Sequence, residues 1–261
     1  ENFPGFPKGI MGPAMMELFK QQALRFGTRI ISDDVIQVTF AQRPFVLKTS
    51  DQTYESQAVI ICTGAQAVWL NVLGEKDYQG RGVSACATCD GFFFKGKDIA
   101  IVGGGDSALE EANFLTRFAN SVTLIHRRDQ LRASKIMQTR AMENPKIRFL
   151  WNTEVQEVLG DGTRLTGLKM LNNQTQAVSE FATEGLFVAI GHKPNTSIFE
   201  GELALDEKGY LLVKDRSSRT TVDGVFAGGD VIDHVYRQAI TAAGTGCMAA
   251  LDAERWLSYQ A

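Results

Sequence analysis

A short apolar run, a cluster of glycines and a helical pattern follow one another in the middle of the chain. Residues 98–102 read Asp-Ile-Ala-Ile-Val, residues 103–108 read Gly-Gly-Gly-Asp-Ser-Ala, and apolar residues then recur at helical spacing. This order predicts a strand, a tight turn and a helix. The turn has the G-x-G-x-x-A form of a dinucleotide fingerprint, in which Gly103 turns the chain, Gly105 admits a pyrophosphate and Ala108 lets the helix pack closely. The nucleotide-binding residues predicted here are Gly103, Gly105, Asp106, Ser107 and Ala108.

Basic residues follow the next predicted strand, which covers residues 122–125. His126, Arg127 and Arg128 come directly after it, and Arg132 comes about one helical turn later. An NAD site places a carboxylate about 20 residues after the glycines, whereas the 2′-phosphate of NADP favours a cation there. Arginine suits this phosphate because its planar guanidinium offers paired donors. The pattern therefore favours NADP over NAD, with a solvated basic turn as the alternative.

A second apolar run, residues 224–227, also leads into glycines. Two glycines and Asp230 follow it, and a helical pattern then extends from Tyr236 to Leu257. Gly244 and Gly246 lie inside that pattern, where each costs about 1 kcal/mol relative to alanine. We therefore expect another group to approach the helix closely at these glycines. The aspartate suits the ribityl or pyrophosphate part of a cofactor, and capping of a helix is an equal alternative.

Short alternating apolar runs separated by Gly-Asp-Gly and Asn-Asn turns occupy residues 149–188, which predicts an antiparallel insertion. Glycines near residues 64 and 191 bracket the fingerprint region and are the natural crossings between two domains. The sequence thus predicts an α/β protein in which one domain is inserted into another. The inserted, nucleotide-binding domain covers residues 67–194, and the other covers residues 1–66 and 195–261.

The composition is that of a globular protein and excludes several classes. Hydrophobic residues make up 44% and charged residues 22% of the chain, which are ordinary values. Lys and Arg number 27 against 30 Asp and Glu, giving a net charge of −3 and no positive field for nucleic acid or an anionic membrane. The longest apolar stretch, residues 58–73, is interrupted by polar residues and is shorter than the roughly 20 residues that a bilayer helix requires. A membrane span is excluded.

Cys86 and Cys89 form the only close pair among four cysteines, in the order Cys-Ala-Thr-Cys. A zinc site would need a second pair of ligands nearby, and the three histidines are scattered singly. Coincidental thiols and a redox-active dithiol remain. The dithiol is favoured because this spacing can close a disulfide within one turn and lower the pKa of a thiol.

The other two cysteines, Cys62 and Cys247, stand in apolar contexts, which predicts buried core thiols. A secreted disulfide framework would have more cysteines in a shorter chain, so the count indicates a reducing cytoplasm. The opening residues also lack the basic region and apolar core of a secretory leader.

Together these motifs resemble those of low-molecular-weight thioredoxin reductases, in order and in approximate spacing. The segments that carry the resemblance are Cys86–Gly91, Gly103–Ala108, His126–Arg128 with Arg132, Gly224–Asp230 and Arg237–Ala239. The resemblance implies two Rossmann-like dinucleotide-binding domains, with the NADPH domain inserted into the FAD domain. It also implies a homodimeric, NADPH-dependent flavoprotein that reduces the disulfide of thioredoxin and carries no metal.

The resemblance further implies roles for individual residues. Cys86 and Cys89 form the redox disulfide, and Asp90 is the acid that protonates a leaving thiolate. Arg127, Arg128 and Arg132 hold the 2′-phosphate of NADPH, with His126 beside them. The residues expected to contact FAD are Gly229, Asp230, Arg237, Gln238 and Ala239, with Asn2, Thr63 and Gly64 as lesser candidates.

One departure from the family is large. Its members begin with a strand and a first glycine fingerprint for the ADP part of FAD, and no such unit precedes Glu1. Either the given sequence has lost an N-terminal stretch, or it is a truncated product with weak flavin binding. The first is favoured because a missing strand would leave the core of a parallel sheet exposed.

The short separation between the dithiol and the fingerprint places both on the inserted domain. We therefore expect that domain to rotate about crossings near Ala65 and Lys193, presenting nicotinamide and Cys89 to the flavin in turn.

Two other interpretations of the function remain open. One is the flavoprotein of another peroxide- or thiol-reducing system, such as an alkyl hydroperoxide reductase. The other is a truncated, non-enzymatic NADP-binding or redox-sensing module.

Overall fold

The protein, as a computed structural model that describes residues 2–260, divides into two compact units. The inserted unit covers residues 67–191, and the outer unit comprises the chain up to Gln66 together with the chain from His192 onward. The sequence placed the second crossing between residues 194 and 195. In the structure it lies three residues earlier, between residues 191 and 192.

The first part of the outer unit carries one helix and five short strands. They are α1 (Gly12–Arg25), β1 (Gln37–Thr39), β2 (Phe45–Lys48), β3 (Thr53–Ser56), β4 (Val59–Ile61) and β5 (Ala65–Ala67). Strands β1, β2 and β3 form an antiparallel sheet in that order. Phe45 of β2 is buried against the ring of Phe40, which anchors this sheet in the core of the outer unit.

The inserted unit is built on a parallel sheet. In chain order its elements are β6 (Val83–Ser84), α2 (Ala87–Asp90), β7 (Asp98–Val102), α3 (Asp106–Leu115), β8 (Ser121–Ile125), α4 (Lys135–Met142), β9 (Ile147–Leu150), β10 (Thr153–Gly160), β11 (Leu165–Asn172), β12 (Val178–Ala182) and β13 (Leu186–Val188). The parallel strands lie in the order β6-β13-β7-β8-β9. Strands β10, β11 and β12 form a separate antiparallel sheet, as the alternating runs predict.

The predicted strand, glycine turn and helix are confirmed as β7, the turn at residues 103–105 and α3. Ala100 and Ile101 of β7 are fully buried, as expected for a parallel strand covered on both faces. Helix α3 buries Ala108, Ala112 and Leu115, which the helical period places on one face toward the sheet. This packing fixes the N-terminus of α3 directly beyond the carboxyl end of β7.

The chain then returns to the outer unit with β14 (His192–Pro194), β15 (Val225–Ala227) and α5 (Ala239–Ser258). Strand β15 pairs in parallel with β4, and β14 pairs with β5. Helix α5 packs beside β15 through Ala249, Ala253 and Trp256, which form one cluster with Phe226. With these parallel strands and helices in both units, the predicted α/β class is confirmed.

The close approach expected at Gly244 and Gly246 is made to the helix backbone between these two glycines. Among the described residues, no heavy atom lies within 4 Å of where a Cβ would stand at either glycine. A Cβ on Gly228 would instead lie 2.8 Å from the carbonyl oxygen of Thr245. The end of β15 therefore approaches the backbone of α5 at Thr245 and Gly246, while the space beside the Cβ positions of Gly244 and Gly246 themselves is open.

Candidate functional site

A disulfide joins Cys86 and Cys89 at the start of α2. The two Cα atoms are 5.3 Å apart, and the backbone N–H of Cys89 donates to Sγ of Cys86 over 3.3 Å. Cys86 occupies the capping position before the helix. The bonded pair excludes the reading of two coincidental thiols and confirms the predicted disulfide.

Asp90 lies one residue beyond this disulfide and is held by Ser84. The Ser84 hydroxyl donates to Oδ2 of Asp90 over 2.6 Å, and the Ser84 Oγ in turn accepts the N–H of Cys86 over 3.1 Å. Ser84 is only 6% exposed. The Ser84 hydroxyl therefore links the Asp90 carboxyl group to the backbone of the redox pair. Nothing in the sequence pattern singled out this serine, although it stands two residues before Cys86.

A cavity of about 630 Å³ opens at the carboxyl ends of β7 and β8, the edge where open α/β sheets bind ligands. It brings together nearly all the residues predicted to bind the dinucleotide: Gly103, Gly105, Asp106, Ser107, Ala108, His126, Arg127 and Arg132. Arg128 is exposed and is not among the lining residues. Sequence reasoning missed the rest of the wall, which includes Trp69, Leu70, Glu154, Gln156 and Ile190.

The glycines of the turn serve different purposes. A Cβ on Gly103 would lie 2.5 Å from the Cβ of Ala108 and 2.6 Å from the carbonyl oxygen of Ala189, so this glycine permits close packing. No described heavy atom lies within 4 Å of a Cβ placed on Gly105. Gly105 is also the capping residue of α3 and supplies no side-chain cap for the N–H groups of the first turn. Open space beside helix N–H donors fits the pyrophosphate of a dinucleotide.

The ring of His126 packs against this turn at Gly104. A Cβ on Gly104 would lie within 2.8 Å of three atoms of the His126 ring, and Nε2 of the ring lies 3.0 Å from the carbonyl oxygen of Gln130. Burial lowers the pKa of His126, while hydrogen bonds to the backbones of Gln130 and Gly103 oppose this shift and the charges of Arg132 and Arg128 add to it. The ring fills the space beside Gly104, and the arginines that line the cavity with it are Arg127 and Arg132.

Replacing Gly104 with alanine should therefore destabilise the inserted unit. The new methyl group would overlap the buried His126 ring, and overpacking of this kind costs about 1–3 kcal/mol. Thermal or urea unfolding measures the change in the free energy of unfolding.

Gly105→Ala is the matched control, because open space surrounds its Cβ position. Its free energy of unfolding should stay within about 0.5 kcal/mol of the parent, while its affinity for a dinucleotide falls. Equal destabilisation by the two changes would contradict this assignment.

The residues predicted to contact FAD lie in the outer unit, around the end of β15 and the start of α5. Oδ1 of Asp230 is buried and, among the described residues, has no hydrogen-bond partner. Burial raises the pKa of Asp230, Asp233 adds to the rise, and Arg237 opposes it. A buried carboxylate oxygen without a partner fits a ligand that brings its own hydroxyl group, as a ribityl chain does.

Other predicted FAD residues are hydrogen-bonded to one another or to the same unit. The Asn2 side chain donates to Oε1 of Gln238 over 2.8 Å, and the Thr63 hydroxyl donates to the carbonyl oxygen of Asn195 over 2.8 Å. Arg237 adopts a left-handed backbone with φ of 48°, and its N–H donates to Asp233 over 3.1 Å. Gly64, Gly229 and Ala239 complete the set in this unit.

The two remaining cysteines correct one expectation. Cys62 and Cys247 are exposed rather than buried. Cys62 follows the last residue of β4, and Cys247 lies off the face of α5 that buries Ala249 and Ala253. Within residues 2–260, no three His, Cys, Asp or Glu side chains form a group that could hold a metal ion, and no helix is long and apolar enough to cross a membrane.

Comparison with known proteins agrees with this geometry. The family model described as "Pyridine nucleotide-disulphide oxidoreductase" matches residues 6–246. The thioredoxin reductase of Streptomyces coelicolor is 56% identical over 259 residues, which cover 99% of this chain and 80% of the relative. That of Chlamydia pneumoniae is 52% identical over 261 residues, covering 98% of this chain and 84% of the relative.

Solved structures give the same result. The thioredoxin reductase from Giardia duodenalis has a TM-score of 0.92 and 44% identity, and that from Streptococcus pyogenes has a TM-score of 0.94 and 39% identity. Each match covers 99% of this chain and 84% of the solved one. The chain belongs to the pyridine nucleotide-disulphide oxidoreductase family and, within it, to the low-molecular-weight thioredoxin reductases, which confirms the resemblance seen in the sequence.

Proposed function

We propose that the protein uses NADPH and FAD to reduce the disulfide of a thioredoxin. The observation that carries this proposal is the Cys86–Cys89 disulfide with Asp90 hydrogen-bonded beside it, on the same unit as a dinucleotide cavity. Relatives that are 50–56% identical are named thioredoxin reductase. Neither the non-enzymatic module nor another thiol- or peroxide-reducing flavoprotein receives comparable support.

The two cysteines and Asp90 have separate roles in the proposed reaction. When bound, FAD supplies two-electron transfer from NADPH to the Cys86–Cys89 disulfide. One reduced sulfur, as thiolate, attacks the disulfide of thioredoxin and forms a mixed disulfide while one thioredoxin sulfur leaves. Asp90 donates a proton to a leaving sulfur. The second sulfur of the pair then attacks the mixed disulfide, which releases reduced thioredoxin and restores the Cys86–Cys89 bond.

The cofactors are assigned to different units. Arg127 and Arg132 hold the 2′-phosphate of NADPH, and the N-terminus of α3 holds its pyrophosphate. Asp230 accepts a hydrogen bond from the ribityl chain of FAD. The other proposed FAD contacts are Asn2, Thr63, Gly64, Gly229, Arg237, Gln238 and Ala239.

This assignment requires motion of one unit. The disulfide and the dinucleotide cavity both belong to the inserted unit, whereas the proposed FAD residues belong to the outer unit. Both groups must reach the same flavin during one catalytic cycle. We therefore propose that the inserted unit rotates about the crossings near Ala65 and Lys193.

Two exposed aromatic residues follow the disulfide and are suited to hold thioredoxin. Phe92 and Phe93 are 59% and 57% exposed, and exposed aromatic side chains are typical anchors of protein interfaces. Replacing both with alanine should raise the KM for thioredoxin by about tenfold, equivalent to about 1.4 kcal/mol, because the anchors contribute to binding. Steady-state kinetics at varied thioredoxin concentration measures this.

The control is a small, non-protein disulfide such as 5,5′-dithiobis(2-nitrobenzoate), whose reduction the double variant should retain. An unchanged KM for thioredoxin would remove both phenylalanines from the docking surface.

Assembly and location are also proposed. Exposed apolar side chains on α1 and α5, among them Met16, Leu18 and Leu251, are suited to contact a second copy, and we propose a homodimer. Thiol exchange driven by NADPH requires a reducing compartment, and we place the protein in the cytoplasm.

The function is tested with protein saturated with FAD, by following NADPH oxidation spectrophotometrically with and without oxidised thioredoxin. Thioredoxin-dependent oxidation of NADPH, with free thiols appearing on thioredoxin, is the expected result. Protein that binds NADPH and FAD but never reduces thioredoxin would contradict it and would favour a binding or sensing module.

A further inference from the structure

The arginines of the dinucleotide cavity are carried by a loop that lies outside the strands and helices. The segment 126–134, here called the arginine loop, connects β8 to α4. Arg127 and Arg132 line the cavity from this loop, and Arg132 itself is exposed. A long cation on a loop binds a phosphate well only when the loop is held in place beforehand. The contacts that hold this loop are therefore relevant to phosphate recognition.

The loop is attached to the fingerprint turn immediately after Arg132. Oδ1 of Asp106, in the first turn of α3, accepts two hydrogen bonds from Ser134: one from the backbone N–H over 2.9 Å and one from the hydroxyl over 2.6 Å. The carbonyl oxygen of Gly104 accepts the N–H groups of Arg132 and Ala133 over 2.7 and 3.1 Å. The fingerprint thus binds the loop through one carboxylate and one carbonyl.

The orientation of Asp106 also accounts for an acidic side chain at a site predicted to bind a pyrophosphate. Asp106 stands next to Gly105 at the N-terminus of α3, where its negative charge opposes a second anion. The two bonds from Ser134 engage this carboxylate, and they lower the pKa of Asp106. Oδ1 of Asp106 is therefore an acceptor for the loop.

We infer that Asp106 is a positioning residue that, through Ser134, fixes the arginine loop so that Arg132 can bind the 2′-phosphate of the dinucleotide. This inference rests on the proposed use of NADPH. It assigns part of the preference for a 2′-phosphate to a residue that does not itself contact that phosphate. Asp106 and Ser134 are 28 positions apart in the sequence, and both side chains can be altered without changing an arginine.

The test compares the binding of 2′,5′-ADP and 5′-ADP, which differ only in the 2′-phosphate, by isothermal titration calorimetry of the FAD-bound protein. The preference for 2′,5′-ADP, expressed as the ratio of the two dissociation constants, is the readout. Asp106→Ala should lower this preference by about tenfold, since both bonds to Ser134 are lost. Asp106→Asn should keep it within about twofold, because the amide oxygen still accepts both bonds.

Ser134→Ala provides a second variant in case Asp106→Ala does not fold. It removes the hydroxyl donor and keeps the N–H donor, so the preference should fall by about threefold. A purely structural role for Asp106 would weaken both ligands equally and leave their ratio unchanged. The inference would be overturned if the ratio of the two dissociation constants were unchanged in both Asp106→Ala and Ser134→Ala. It would also be overturned if Asp106→Asn lost as much of the preference for 2′,5′-ADP as Asp106→Ala does.

The same experiment separates this inference from the proposed function. If the parent protein binds 2′,5′-ADP no better than 5′-ADP, the use of NADPH is contradicted and the inference falls with it. If the parent shows the preference and the Asp106→Ala and Ser134→Ala variants retain it, only the positioning role is lost.

Discussion

Serine at either Cys86 or Cys89 should lower kcat/KM for thioredoxin by about three orders of magnitude or more, because each variant lacks one of the two sulfurs that exchange electrons. A single thiol cannot store the two electrons as a dithiol or release itself from a mixed disulfide with thioredoxin. The measurement is NADPH oxidation in the presence of oxidised thioredoxin, with the protein saturated with FAD.

Cys247→Ser is the matched control, since Cys247 is an exposed thiol outside the disulfide. Its activity should stay within about twofold of the parent. An absorption spectrum also shows which of the two sulfurs lies next to the flavin. The serine variant that lacks this sulfur should lack the thiolate–flavin charge-transfer band. Substantial thioredoxin reduction by either serine variant would refute the redox role of the pair.

The second large effect concerns the choice between NADPH and NADH. Replacing both Arg127 and Arg132 with alanine should raise the KM for NADPH by about a hundredfold, because hydrogen bonds to a charged group contribute about 1.5–3 kcal/mol each. The KM for NADH should change by less than about threefold, because that cofactor lacks the 2′-phosphate. Steady-state kinetics with each cofactor gives both values.

Arg128→Ala is the control for this pair. The sequence placed Arg128 with the phosphate ligands, but its side chain does not line the cavity. We therefore expect Arg128→Ala to leave the ratio of the two KM values nearly unchanged. A loss of NADPH preference in Arg128→Ala equal to that in the double variant would return Arg128 to the binding site and contradict the geometry.

Features that depend on neighbouring residues could be predicted from the sequence. The strand, glycine turn and helix around Gly103 form within one short segment, and apolar periodicity reports them directly. The disulfide joins residues three positions apart, so the Cys-x-x-Cys spacing predicted it. The order of the motifs along the chain was also sufficient to identify the family.

Features that depend on tertiary packing were missed. The wall of the cavity includes Trp69, Glu154 and Ile190, which lie far apart in sequence and carry no motif. Burial of a thiol depends on which face a helix turns inward, and apolar neighbours alone gave the wrong prediction for Cys247. The helix glycines predicted a close approach at Gly244 and Gly246, but helix propensity alone could not show that the approaching residue is Gly228 of the strand end.

The central claim, that Cys86 and Cys89 exchange electrons with NADPH through FAD, is tested most directly by counting thiols. FAD-saturated protein is treated with NADPH without oxygen, quenched in denaturant with an alkylating reagent, and analysed by intact mass and peptide mapping. The structure holds two free cysteines and one disulfide, so the number of alkylated cysteines should rise from two to four, with the new labels on Cys86 and Cys89. A count of two in the presence of NADPH would contradict the account.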